Sequence, residues 1–284
     1  MAAPAPAPLT PQQLSAYLAR IGFTATPRRD ADTLQALVQA HVQSIPFENI
    51  DVQLGRTLTT DQDAAYGKLV EARRGGWCYE HNGLLAAALA AIGFKVMRVS
   101  GAVMRQVRGE AAMGTHLCLL VACDQTWLVD AGFGSWIGSP VPLAQGCWMQ
   151  APVPVALSRT DDGLWRLTVT PGETVMSYDF AAEPANEDQL SALCHWQCTD
   201  PSSVFVQNLS IQRRLDDTLL MLRGKVLSRI DPSGETRHEL ADADDLIACL
   251  RRDFGLDVPE ATGLWPAICA RHAALFGGQA APTT

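Results

Sequence analysis

The sequence predicts an α+β fold: an N-terminal helical bundle, a central β-barrel or sheet lobe, and a C-terminal α/β lid. Three patterns carry this. Apolar residues recur at helical spacing as far as Ile92; from Phe94 to Phe180 they fall in short β-branched and aromatic runs bounded by turn residues; beyond Asn186 the two patterns alternate. With 284 residues and 30.6 kDa the chain can bury a substantial core, and the three lobes are set at residues 1–93, 94–185 and 186–284.

Taken in order, residues 11–21 read as a helix with Thr10 as N-cap and Pro11 in its first turn. Residues 32–42 and 61–73 follow as helices, then an apolar helix from Tyr79 to Ile92 stopped by Gly93. Strands are expected at 95–103, 115–121, 126–134, 153–158, 164–170 and 175–180. A helix at 186–194 leads to strands near 204–213, 218–222 and 225–230, a turn at 231–234, and helices at 243–254 and 264–275. Residues 1–8 read as an extension without the basic and apolar regions of a signal peptide, and 277–284 as a frayed tail.

A formal charge of −8 and a pI near 5.2 leave no basic stripe for nucleic acid or anionic lipid. The longest apolar run, 84–92, is too short to cross a bilayer. Neither nucleic acid nor a membrane is therefore an expected partner, and the oligomeric state stays open. Eight scattered cysteines point to reduced thiols in a cytoplasmic protein. Cys194-His195 with Cys198 has the look of a metal pair, but no second close-spaced pair completes four ligands, so no metal is expected.

The chemistry is concentrated in three side chains. Cys78 follows the pair Gly75-Gly76 at the edge of an apolar helix, where unpaired N–H groups and the helix dipole favour thiolate over thiol. Residues 115–121 and 126–134 form a hairpin turned at 123–125. For a three-residue loop centred on Asp124, facing residues sum to 248, so position 118 opposes Asp130 and His116 lies diagonally from Asp130 on the same face. A one-residue slip would separate them. Thiol, imidazole and carboxylate in this order describe a catalytic triad: Cys78 attacks, His116 takes its proton, and Asp130 holds the imidazole.

The run Arg74-Gly75-Gly76-Trp77-Cys78-Tyr79-Glu80-His81-Asn82-Gly83-Leu84, then Thr115-His116 and Leu128-Val129-Asp130-Ala131-Gly132-Phe133-Gly134, closely resembles the arylamine N-acetyltransferase family, as does Ile45-Pro46-Phe47-Glu48-Asn49-Ile50-Asp51-Val52. A weaker echo lies at 202–209. The resemblance implies an enzyme in a papain-like cysteine-enzyme arrangement. It would take an acetyl group from acetyl-CoA onto Cys78 and pass it to an arylamine or hydrazine nitrogen in a ping-pong cycle. It also implies that Thr115, Gly132, Phe133 and Gly134 line the substrate pocket, with core packing the other reading of Phe133, and that Glu48 pairs with Arg74 as structural support. Arg105 and Arg108 are candidates to meet the anionic donor. Residues 193–198 depart from the family pattern on the acceptor side, which leaves a related amide synthase open, alongside a cysteine hydrolase or transglutaminase-like acyl transferase.

Overall fold

The computed structural model describes residues 6–170 and 175–276, so the expected tail at 277–284 and most of the extension at 1–8 lie outside the described residues. Helices α1 (Pro11–Arg20) and α2 (Ala31–Ser44) pack with α5 (Cys78–Ile92) around a core that includes Tyr17, Leu34, Leu37, Leu85 and Leu89. The Thr10 cap forms as expected, its hydroxyl accepting the Gln13 N–H at 3.2 Å. Between them lie β1 (Phe47–Glu48), α3 (Ile50–Gln53) and α4 (Gln62–Tyr66), the last widening into a π-type turn at Gly67–Glu71.

One polar chain crosses this apolar bundle. The Pro46 carbonyl can only accept, so His81 Nε2 donates to it (3.2 Å); His81 Nδ1 then accepts from His41 Nε2 (2.8 Å), and His41 Nδ1 from the Tyr17 hydroxyl (2.9 Å). Every member is satisfied only with both imidazoles neutral. Burial accordingly pushes both histidines down, His81 to about 4.

Two antiparallel sheets follow. The larger, a near-barrel, has the order β5-β4-β3-β2-β9-β8-β7-β6. Its strands are β2 (Lys95–Val103), β3 (Met113–Ala122), β4 (Thr126–Val129), β5 (Val141–Pro142), β6 (Gly146–Gln150), β7 (Val153–Arg159), β8 (Trp165–Val169) and β9 (Met176–Phe180), with a short helical turn α6 (Arg105–Arg108) after β2. After α7 (Glu187–Thr199) and the single turn α8 (Val204–Gln207), the second sheet runs β1-β10-β11-β12-β13, using β10 (Ser210–Leu215), β11 (Thr218–Arg223), β12 (Val226–Asp231) and β13 (Gly234–Glu239). Helices α9 (Ala243–Cys249) and α10 (Trp265–Phe276) close the chain against that sheet.

The β3–β4 register is the expected one: Leu119 faces Val129 and Val121 faces Trp127. Three expectations are corrected. The strand expected at 126–134 stops at Val129, because the Asp130 carboxylate turns back to accept the Gly132 N–H (2.8 Å). The strand expected from 204 begins at Ser210; Ser203 caps residues 204–207 as a helical turn, its hydroxyl accepting the Phe205 N–H at 3.3 Å. The helix expected at 186–194 runs on to Thr199. Four strands were not expected: β1 and β5, of two residues each, and the longer β6 and β13. β13 is exposed along its whole length and β6 is an edge strand, so neither shows the alternation that burial imposes.

Candidate active site

The loop before α5 is clamped to the second sheet. Gly76 N–H donates to Pro46 O (3.2 Å), Glu48 N–H donates to Gly76 O (2.8 Å), and Glu48 itself faces Ile211 of β10. This fixes the start of α5, whose first residue is Cys78, 4% exposed. The Trp77 N–H is capped by the Glu80 carboxylate at 3.2 Å.

His116 on β3 and Asp130 just beyond β4 are both buried, with His116 Nε2 2.7 Å from Asp130 Oδ2. The Cys78 thiol lies near enough to the imidazole to favour its charged form. Burial opposes charge on His116, but the Asp130 carboxylate and the bonds from Asp130 and Cys78 outweigh it and lift the imidazole to about 10. For Asp130 burial works upward; the His116 charge, with bonds from His116, Asn82 and Gly132, holds the carboxyl below the ordinary range. The structure thus brings together all three residues singled out in the sequence.

The neighbours divide by what their atoms touch. Gly132 lies against Cys78, where a Cβ would stand 2.5 Å from the Cys78 Cα, so only glycine fits. Phe133 is buried, its ring edge-on to His116 with centroids 5.6 Å apart and to Tyr178 at 4.9 Å. Gly134 turns the chain at φ +59 against Gln212 of β10. The Thr115 hydroxyl is engaged by backbone, donating to Ala112 O (2.6 Å) and accepting from Val103 N (3.3 Å). Arg74 Nη2 meets Glu48 Oε1 at 2.8 Å, so these two do pair, inside a larger buried network. In it Lys68 reaches Asp51 (2.9 Å) and Glu80 (3.0 Å). Arg105 is held by Glu110, Asp162 and Asp179, which leaves it no open face for an anionic donor.

Sequence reasoning missed two residues. Asn82 Nδ2 donates to Asp130 Oδ1 (2.8 Å) and Leu117 O (2.6 Å), while its Oδ1 accepts the Ala131 N–H (2.9 Å). Its signal was present, since Asn82 stands one helical turn after Cys78 and so on the same face. Tyr178, fully buried on β9, lays its ring over His116 with centroids 4.7 Å apart; nothing near it in sequence marks it. Cys194 and Cys198 are buried on α7 whereas His195 is exposed, which breaks up the metal-like triplet. Among the described residues no group of three His, Cys, Asp or Glu side chains is placed to hold a metal ion, and no helix is long and apolar enough to cross a membrane.

Residues 30–262 match the family model described as N-acetyltransferase, which makes the chain an acyl-transferring enzyme. It belongs to the arylamine N-acetyltransferase family. The arylamine N-acetyltransferase of Mycolicibacterium smegmatis is 38% identical over 259 residues, covering 88% of this chain and 94% of that protein. That of Escherichia coli (strain K12) is 29% identical over 263 residues, covering 87% and 90%. Among solved structures, Mycobacterium marinum arylamine N-acetyltransferase in complex with CoA superposes with a TM-score of 0.81 at 32% identity, covering 91% of this chain and 97% of that one. The Salmonella typhimurium enzyme gives 0.82 at 28%, covering 92% and 100%.

Proposed function

We propose that the chain acetylates arylamine or hydrazine nitrogen with acetyl-CoA by a ping-pong route through a thioester on Cys78. The observation that carries this is the buried His116–Asp130 pair, 2.7 Å apart, with the Cys78 thiol acting on the same imidazole. In the first half-reaction His116 holds the thiol proton while the Cys78 sulfur adds to the acetyl carbonyl; the tetrahedral adduct collapses, the C–S bond to CoA breaks, and His116 protonates the departing thiolate. The Cys78 backbone N–H, one of the unpaired donors at the start of α5, is a donor to the developing oxyanion. In the second half-reaction the amine nitrogen adds to the thioester, gives a proton to His116, and leaves as the amide while the Cys78 thiol is restored.

Asp130 orients His116 throughout, and Gly132, Phe133, Gly134 and Thr115 form or back the wall on which the acceptor rests. Glu48 and Arg74 act as structural support. In this reading residues 1–93 supply the nucleophile, 94–185 the base and its carboxylate, and 186–284 the lid of a papain-like arrangement in a cytoplasmic enzyme; the eight cysteines, all free, agree with a reducing compartment. The test is intact-protein mass spectrometry after mixing with acetyl-CoA. One acetyl group on Cys78, discharged by an arylamine, is the expected result; acetylation that survives Cys78→Ala overturns it.

A further inference from the structure

The second group of thiols lies outside the chemistry described so far. Cys194 and Cys198 occupy successive turns of α7 and are 0% and 6% exposed. Both sulfurs are 3.7 Å from one acceptor, the Leu58 carbonyl, and the Leu58 N–H points at Cys198 Sγ from 3.4 Å. Two thiols therefore converge on a single backbone unit. At this helical spacing their Cβ atoms stand roughly 5–6 Å apart, beyond the roughly 3.8 Å that a disulfide prefers. The pair resists closing on itself, and a single bridging atom spans such a separation.

That atom must be thiophilic and satisfied by two protein ligands, because no third His, Cys, Asp or Glu side chain joins the pair among the described residues. A trivalent arsenic that already carries one carbon substituent meets both conditions. Leu58, the residue on which both sulfurs converge, also borders a crevice of about 480 Å³ together with Thr57, Thr59, Ala192 and His195. We propose that Cys194 and Cys198 form a chelating site for monosubstituted trivalent arsenicals, R–As(OH)2. Two S–H and two As–OH bonds break, two As–S bonds form, and two waters leave, with arsenic trivalent throughout. The site is independent of the acetyl-transfer reading, because Cys78 takes no part in it.

The probe is phenylarsine oxide, added to the full-length protein in excess glutathione and followed by intact mass. A gain of one phenylarsenic group less two hydrogens is expected, stable to the monothiol and reversed by 2,3-dimercaptopropanol. Cys78→Ala should keep this adduct, and Cys194→Ala and Cys198→Ala should each lose it. On the unaltered protein, the adduct should shield Cys194 and Cys198 together from iodoacetamide in a peptide map. No glutathione-resistant adduct, its persistence in either single variant, its loss in Cys78→Ala, or free alkylation of both thiols in the adduct would overturn the proposal.

Discussion

Asn82 and Asp130 face each other across 2.8 Å, amide nitrogen to carboxylate oxygen, and the same amide accepts the Ala131 N–H through its oxygen. The helix that starts with Cys78 thereby grips the loop that carries Asp130. Replacing Asn82 with Ala removes one bond to a charged group and leaves Ala131 N–H and Leu117 O without this partner. Bonds to charged groups contribute about 1.5–3 kcal/mol, so single-turnover acetylation should slow by about 10- to 150-fold. An unchanged rate in a folded variant would show that the grip is immaterial to the chemistry.

Asp130→Asn keeps the shape and loses the charge that lifts His116. The amide can present its N–H to His116 Nε2 and so select the wrong tautomer, a change that costs on the order of 10⁴-fold in serine-protease triads. A drop of several orders of magnitude with an intact circular-dichroism spectrum is expected. Near wild-type acetylation would reduce Asp130 to a structural role.

Because His116 keeps its proton up to about pH 10, the sulfur beside it should alkylate readily on the acid side of neutrality. His116→Ala should lose that acid-side reactivity and Asp130→Asn should fall between. Iodoacetamide labelling of Cys78 from pH 5 to 9 measures this. Superimposable profiles for wild type and His116→Ala would end the partnership.

Gly132→Ala places a methyl group against backbone, at Cys78 Cα, where nothing flexible can give way. A loss of about 1–3 kcal/mol is expected from such overpacking, with acetylation falling further than stability because the displaced atoms are those of the proposed acetyl carrier. Thermal melting and acetylation of the same preparation separate the two effects.

Glu80 supplies a pH test of the buried network. Burial raises its carboxyl from 4.5 to about 7; Lys68 opposes the rise and Glu48 adds to it. The folded state thus binds this proton more tightly than the unfolded state, so the stabilisation is complete below pH 4.5 and is lost as pH climbs through 7. The stability of wild type relative to Glu80→Gln should therefore fall between pH 5 and 8, by up to about 3 kcal/mol. Urea midpoints for both proteins across that range give the answer, and a flat difference would place the proton elsewhere.

How much of this was legible in the sequence depends on how local each cause is. The β3–β4 register followed from turn length and alternation, which are local, and it put His116 and Asp130 on one face. Strands β6 and β13 were missed because exposed edges carry no buried face to pattern. Tyr178 was missed because it meets His116 only through the β9–β2–β3 order, a relation between segments that no spacing encodes. Asn82 was within reach, one turn from Cys78, but its partners lie in β3 and the loop after β4. The Glu48–Arg74 pair was anticipated, whereas Lys68, Asp51 and Glu80 were not, since buried charge networks join residues by burial and not by period.

The link from the loop before Cys78 through β1 to β10 has a bearing on the order in which the chain acquires its shape. Phe47 and Glu48 close onto Gln212 and Ile211 across more than half of the polypeptide, a closure whose entropy must be met before its bonds form. During synthesis Cys78, His116 and Asp130 emerge well before β10, so a chain halted at residue 209 holds all three side chains without the strand that steadies the first. The strand that completes this link thus reaches the loop before Cys78 only after about three-quarters of the chain has been made.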